Sequence, residues 1–381
     1  MSKRALVIVL DSVGCGNAPD AGDYGDSGAD TLGNLFRGIE DLNLPGLASL
    51  GLLHLLGIDY GEITPNVRCS KTFRLTETSS GKDTTTGHWE LMGLPTTTPL
   101  FTCESFPSEF VSELESLSAT SFLGNKAASG TDILRELGEE HCRTGYPILY
   151  TSADSVLQIA AHEENFGLER LYEVCQKARD LLDERGLRVG RVIARPFLGF
   201  DADSFQRTSN RHDYSLTPER TVLNDLQDRG VTVIGIGKIS DIFAGSGISQ
   251  SFPTPNNLNG MHQIDRIWDA PPEEDHFIFC NLVDFDSLYG HRRDPRGYAD
   301  CLMAFDRWLV GFLKKVNEED LVMITADHGN DPYYKGTDHT REQVPCLRIS
   351  GTQGVGPGMS VFSDVAKCVE QYFIGNEMLP K

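Results

Sequence analysis

Three short, largely apolar runs, far apart in the chain, each end on an acid. Arg4–Leu10 runs into Asp11, residues 277–283 into Asp284 and Asp286, and residues 321–326 into Asp327-His328. A fourth run, 231–236, enters Gly237-Lys238. Runs of this length without polar alternation read as strands buried on both faces, as in a parallel sheet. Helical patterns at 220–228 and 296–316 alternate with them, so the expected fold is α/β, a mostly parallel sheet between helices. In such sheets ligands bind beyond the carboxyl ends of the strands, where these acids stand.

The middle of the chain reads as a different unit. Residues 100–217 hold their own strand candidates (147–151 and 191–197), a helical pattern at 168–185 and a polar stretch at 207–214. The sheet pattern resumes only after Thr217-Pro218. The expectation is an inserted α/β cap domain, 100–217, within a discontinuous catalytic core of 1–99 and 218–381. Chemistry-bearing acids on both sides of the middle favour an insertion over two sequential domains, and 381 residues suit two lobes.

Charge and cysteine usage narrow the partners. With 34 basic and 55 acidic residues the net charge is -21, the opposite of the balance that neutralises nucleic-acid phosphates. No apolar run approaches the ~20 residues of a membrane-spanning helix. The run after Ser2-Lys3-Arg4 is shorter than the ~7–15 residues of a signal-peptide core. The nine cysteines are scattered, odd in number and never spaced C-x-x-C, which points to reduced thiols and a cytoplasmic location. Small molecules are the expected partners.

Asp286 and His291, Asp327-His328 and His339 mix carboxylates with imidazoles, a donor set suited to Mn or Zn. Any one of these alone reads as a polar loop or a structural histidine. Asp11 alone could cap the next helix or form an Asx-turn. Three acids and three histidines at strand ends read together as a dinuclear metal site. The loop 12–33 carries six glycines, but Pro19 breaks the G-x-G-x-x-G pattern and no P-loop is present.

The segment Gly81-Lys82-Asp83-Thr84-Thr85-Thr86-Gly87-His88 has two readings. One is a hydroxyl-rich helix start, with Thr86 or Asp83 capping 89–92. The other is a nucleophile beside a helix N-terminus, where backbone donors favour phosphate. A threonine hydroxyl needs a metal or base to lose its proton. In an acidic chain, Arg191 and Arg195, with Arg207 and Arg211, suggest bidentate recognition of a distal phosphate, and Lys238 could add to it. Asp154 either accepts from sugar hydroxyls or caps a helix over 155–161.

Together these segments resemble the phosphopentomutase family of the alkaline phosphatase superfamily. The resemblance is carried by residues 9–33 (VLDSVGCGNAPDAGDYGDSGADTLG), 81–93 (GKDTTTGHWELMG), 130–139, 150–164 (YTSADSVLQIAAHEE), 210–214, 237–242, 281–294 (NLVDFDSLYGHRRD) and 324–341 (ITADHGNDPYYKGTDHTR). It implies an alkaline-phosphatase-like core with metal ligands at Asp11, Asp286, His291, Asp327, His328 and His339. The phosphorylated threonine falls on Thr84, with Thr85 and Thr86 as runners-up. Sugar-phosphate contacts fall on Asp154, Arg191, Arg207 and Lys238. The resemblance further implies two Mn²⁺ ions, a sugar bisphosphate activator, and interconversion of ribose (or 2-deoxyribose) 1-phosphate with the 5-phosphate in nucleoside metabolism. The competing readings are a dinuclear phosphatase or phosphodiesterase that passes its phosphate to water, and a non-catalytic metal-stabilised binding module.

Overall fold

The computed structural model describes residues 2–58, 70–152, 155–350 and 358–375; Asp154 lies outside them. The chain divides into two compact units, one formed by 1–98 with 218–381 and the other by 99–217.

The larger unit is built on a seven-stranded sheet. Its strands run, edge to edge, Gln250–Phe252, Thr232–Ile236, His276–Leu282, Arg4–Leu10, Leu321–Thr325, Val344–Ser350 and Ser70–Leu75. The first five are parallel, and Val344–Ser350 pairs antiparallel to both of its neighbours. Every residue of His276–Leu282 and of Leu321–Thr325 is buried, as continuous apolar strands in a covered parallel sheet must be. The helix Pro295–Phe312 buries Tyr298, Leu302, Phe305, Leu309 and Phe312, an apolar stripe at helical spacing.

The order of the three central strands brings the acids together. Arg4–Leu10 lies between the other two, with Leu10 opposite Leu282 and Val9 opposite Thr325. The three carboxyl ends are therefore level, each outer one about 4.8 Å from that of Arg4–Leu10, although that strand is hundreds of positions from the other two in sequence. Asp11 and Asp327 leave their strands within two residues. Asp286 sits a little further on, in a single π-helical turn, Phe285–Gly290.

The smaller unit has a six-stranded sheet in the order Leu123–Ala127, Ile148–Thr151, Val156–His162, Arg191–Leu198 and Gln206–Arg207, with His212–Ser215 also paired to Arg191–Leu198. Its strands alternate between two cores. Leu157, Ile159, Val192 and Ala194 pack with Phe110, Leu114, Leu171, Val174 and Ala178 from the helices Ser108–Ser118 and Leu168–Glu184. Ile148, Tyr150, Ala160 and Phe197 pack with Ile133 and Leu134 from the helix Gly130–Thr144.

Two local expectations need correction. Residues 155–161, read as a possible helix capped by Asp154, fall in the strand Val156–His162, because β-type pairing with Arg191–Leu198 overrides any local helical preference. The helix expected over 89–92 starts earlier, at Thr84, and Asp83 rather than Thr86 is its cap.

Candidate active site

At the carboxyl end of the central strands, Asp11 is 2 % exposed and Asp327 wholly buried. Asp11 Oδ2 accepts from Asn281 Nδ2 at 3.0 Å, and Asp327 Oδ1 accepts from the Ser12 backbone N–H at 3.0 Å. The second oxygen of each, Asp11 Oδ1 and Asp327 Oδ2, is buried without a hydrogen bond. His328 Nε2 stands 3.5 Å from the first and 3.4 Å from the second.

Asp286 faces the other two histidines. His291 Nε2 is 3.1 Å from its Oδ2 and His339 Nε2 is 3.4 Å from its Oδ1, which also accepts from Asn330 Nδ2 at 2.7 Å. All three imidazoles are anchored in the same way. Nδ1 of His291 donates to the Thr337 carbonyl at 2.7 Å, that of His339 to Lys82 at 2.8 Å, and that of His328 to Gly329 at 3.1 Å. A carbonyl only accepts, so each Nδ1 carries a proton, and each ring turns its Nε2 toward the cluster, where it can ligate a cation once that nitrogen carries no proton.

This donor set fits cations. The Nε2 atoms of His291 and His339 are 3.1 Å apart, lone pair against lone pair unless a positive charge lies between them. Asp286, His291 and His339 form one group whose ligand atoms lie within 4.8 Å of one another, and Asp11, Asp286 and His328 form a second. Two groups sharing one carboxylate, with two unpaired buried oxygens, match the nitrogen and oxygen preferences of Mn or Zn.

The electrostatics agree. Burial, then the charges of Asp327 and Asp286, push Asp11 up to about 8. Burial also works against Asp286, but hydrogen bonds from His291 and His339 outweigh it and hold that carboxyl well below the usual range. Asp327 is likewise held low against its burial, by His328 and His88.

Thr84 opens the helix Thr84–Leu91, and Asp83 caps it by accepting from the backbone N–H groups of Thr85 and Thr86. Thr84 Oγ1 is 3.2 Å from His328 Nε2. The Thr86 hydroxyl is buried and turned back on Asp83, donating to its carbonyl at 3.1 Å. The helix approaches the Asp327 loop closely because Gly87 lacks a side chain: a Cβ there would lie 2.1 Å from the Asp327 carbonyl oxygen. Lys82 pairs with Asp26 at 3.0 Å and Asp338 at 3.1 Å, holding the segment before the helix.

The described substrate residues expected from the sequence belong to both units. Lys238 is exposed after Thr232–Ile236, and its charge opposes the rise of Asp11. In the smaller unit, Arg207 Nη2 donates to the Tyr150 hydroxyl at 3.0 Å, and Arg191 stands 3.8 Å from Asp213, which also pairs with Arg211. Sequence reasoning overlooked His88, Asn281 and Asn330 as partners of the acids. His88 was open to discovery, since it follows Thr84 by one helical turn; the two asparagines carry no comparable signal.

A family model for the metalloenzyme superfamily matches residues 3–368. A phosphopentomutase of Symbiobacterium thermophilum is 52% identical over 361 residues, covering 94% of this chain and 90% of that protein. The chain belongs to the phosphopentomutase family. A second phosphopentomutase, from Clostridium tetani, is 51% identical over 352 residues, 91% of this chain and 88% of the relative. Among solved structures, a Pyrococcus horikoshii protein aligns over all of both chains at 15% identity with a TM-score of 0.49. As a phosphopentomutase-family member the protein is an enzyme, a mutase and hence an isomerase, within a metal-binding superfamily. No helix among the described residues is long and apolar enough to cross a membrane.

Proposed function

We propose that the protein interconverts ribose 1-phosphate, or its 2-deoxy counterpart, with the 5-phosphate through a phosphothreonine at Thr84. The observation that carries this reading is the Thr84 hydroxyl, 3.2 Å from His328 Nε2 at the edge of a buried cluster of acids and imidazoles. Two phosphopentomutase relatives at about half identity give it the substrate class.

Asp11, Asp286 and His328, with Asp327 beside them, would hold one divalent cation and Asp286, His291 and His339 a second, with Mn²⁺ proposed for both. When bound, the pair lowers the pKa of the Thr84 hydroxyl and offsets charge on the phosphoryl oxygens. Thr84 sits at the first position of its helix, where the backbone dipole favours an anion. In the forward half-reaction a sugar hydroxyl attacks the phosphothreonine phosphorus. The bond to Thr84 Oγ1 breaks, the new ester forms and the hydroxyl proton is released, giving a sugar 1,5-bisphosphate. In the second half-reaction Thr84 Oγ1 takes the other phosphate and the isomer leaves. Traces of a sugar bisphosphate would prime unphosphorylated enzyme.

Arg191 and Arg207 offer the bidentate donors that a phosphate takes, and Lys238 a point charge; Asp154 is proposed to accept from the sugar hydroxyls. The 99–217 unit is proposed to serve as a cap that excludes water and so protects the phosphoenzyme from hydrolysis. The test is to incubate the Mn²⁺-loaded enzyme with ribose 5-phosphate and separate sugar phosphates from free phosphate. Isomer without phosphate release is expected. Stoichiometric phosphate release shows a phosphatase and sinks the mutase mechanism.

A further inference from the structure

His88 lies on the helix Thr84–Leu91, one turn beyond Thr84, and is wholly buried. Its Nδ1 is 2.8 Å from the Thr84 carbonyl oxygen, so that nitrogen carries the proton. The same nitrogen stands 3.1 Å from Asp327 Oδ2, the buried oxygen that has no hydrogen bond. Nε2 too is buried without a hydrogen-bond partner, on a ring 5.8 Å from that of Phe279. A buried polar nitrogen left unsatisfied costs stability. A phenylalanine would occupy such a place without that penalty. Packing therefore does not account for a histidine here, whereas its Nδ1–H does.

We propose that His88 is a positioning residue that sets the distance between Thr84 and Asp327. Its Nδ1–H is anchored on the carbonyl of the nucleophile's own residue, and the same nitrogen abuts the free oxygen of the carboxylate. Thr84 and Asp327 arrive from separate segments, one opening a helix and the other leaving a strand. The bare Cα of Gly87 lets them approach, and His88 fixes how closely they do so. His88 itself touches no substrate. The inference rests on the roles given to Thr84 and Asp327 under the proposed function.

Two variants of the full chain test it. His88→Phe keeps a ring and loses the donor; His88→Asn places an amide donor near the Nδ1 position. Both are compared with wild type for Tm, for Mn²⁺ affinity by titration calorimetry without substrate, and for kcat and KM on ribose 5-phosphate. The Phe variant is expected to keep its Tm while Mn²⁺ affinity and kcat fall about 10–100-fold, the range typical of lost partners behind a metal ligand. Its KM should stay within about twofold, because no substrate contact is removed. The Asn variant should recover both losses to within about threefold of wild type. Unchanged Mn²⁺ affinity and kcat in the Phe variant overturn the proposal. So does an Asn variant as impaired as Phe, or a Phe variant that fails to fold, since either makes the role one of packing. A wild-type enzyme that binds no Mn²⁺ or makes no isomer refutes the mutase reading instead, so the two failures are distinguishable.

Discussion

Each of the three acids has one oxygen held by a neighbour: Asn281 for Asp11, the Ser12 N–H for Asp327, and Asn330 for Asp286. That arrangement fixes the orientation of each carboxylate while leaving its other oxygen turned toward the imidazoles, which is how a ligand is prepared for a cation. The threonines beside them differ in the same way. Thr86 spends its hydroxyl on Asp83, whereas Thr84 meets His328. Thr84→Ala should keep Tm and metal content and lower turnover by on the order of 10³-fold or more, as removal of a nucleophile does. Thr86→Ala should lower Tm and leave phosphorylation intact. Intact-mass measurement after exposure to a sugar bisphosphate checks both; an 84-alanine protein that still gains a phosphate refutes the assignment.

At the scale of elements, the helix Thr84–Leu91 and the loop after Leu321–Thr325 form the critical pair. Gly87 within a helix is ordinarily a weakness, and in an exposed helix its replacement by alanine stabilises by about 1 kcal/mol. Here the sign should reverse. The added Cβ would meet the Asp327 carbonyl oxygen at 2.1 Å and its carbon at 2.9 Å, and both belong to backbone that cannot rotate away. Gly87→Ala is expected to lower Tm and to weaken metal binding together, as the helix is pushed off the loop. A Tm above wild type would show that the close approach is not what the glycine provides. Removing the cap with Asp83→Ala should cost about 1 kcal/mol, read by urea denaturation, because the Thr85 and Thr86 N–H groups lose their acceptor.

For the whole molecule the question is how a chain of net charge -21 tolerates three buried acids in one place. The protonation of Asp11 is part of the answer when cations are absent. Its pKa is raised to about 8, above 3.8 in the unfolded chain, so between those values the folded state binds the extra proton. Stability of the metal-free protein should therefore fall as pH rises from about 4 to about 8. Glu342, raised by burial to about 7, acts in the same direction. Asp286 and Asp327, held low, lose their contribution only in more acid solution. With Asp11 as a ligand, as proposed, bound Mn²⁺ would displace its proton, so saturating metal should flatten the decline and raise stability by about 2.7 kcal/mol at a hundredfold excess over Kd. Unfolding curves at pH 5, 6, 7 and 8, with chelator and with Mn²⁺, check this; parallel profiles in the two conditions would show that Asp11 does not meet the metal.

The sequence by itself determined the buried parallel strands and the chemical inventory. Apolar runs without alternation announced the buried parallel strands, and the acid at each strand end marked the place where ligands gather. The mixture of Asp and His pointed to metal binding. Nothing local showed that Arg4–Leu10 lies between strands nearly three hundred residues away, because strand order comes from side-chain burial across the whole sheet. Asp286 sits in a π-helical turn, and spacing does not reveal that its carboxylate reaches the cluster. Choice among Thr84, Thr85 and Thr86 was likewise closed to spacing, since all three share a helix start. In the folded chain the Thr84 hydroxyl meets His328, whereas that of Thr86 turns back on Asp83. Periodicity and donor chemistry are properties of neighbours in the chain, whereas convergence is a property of neighbours in space.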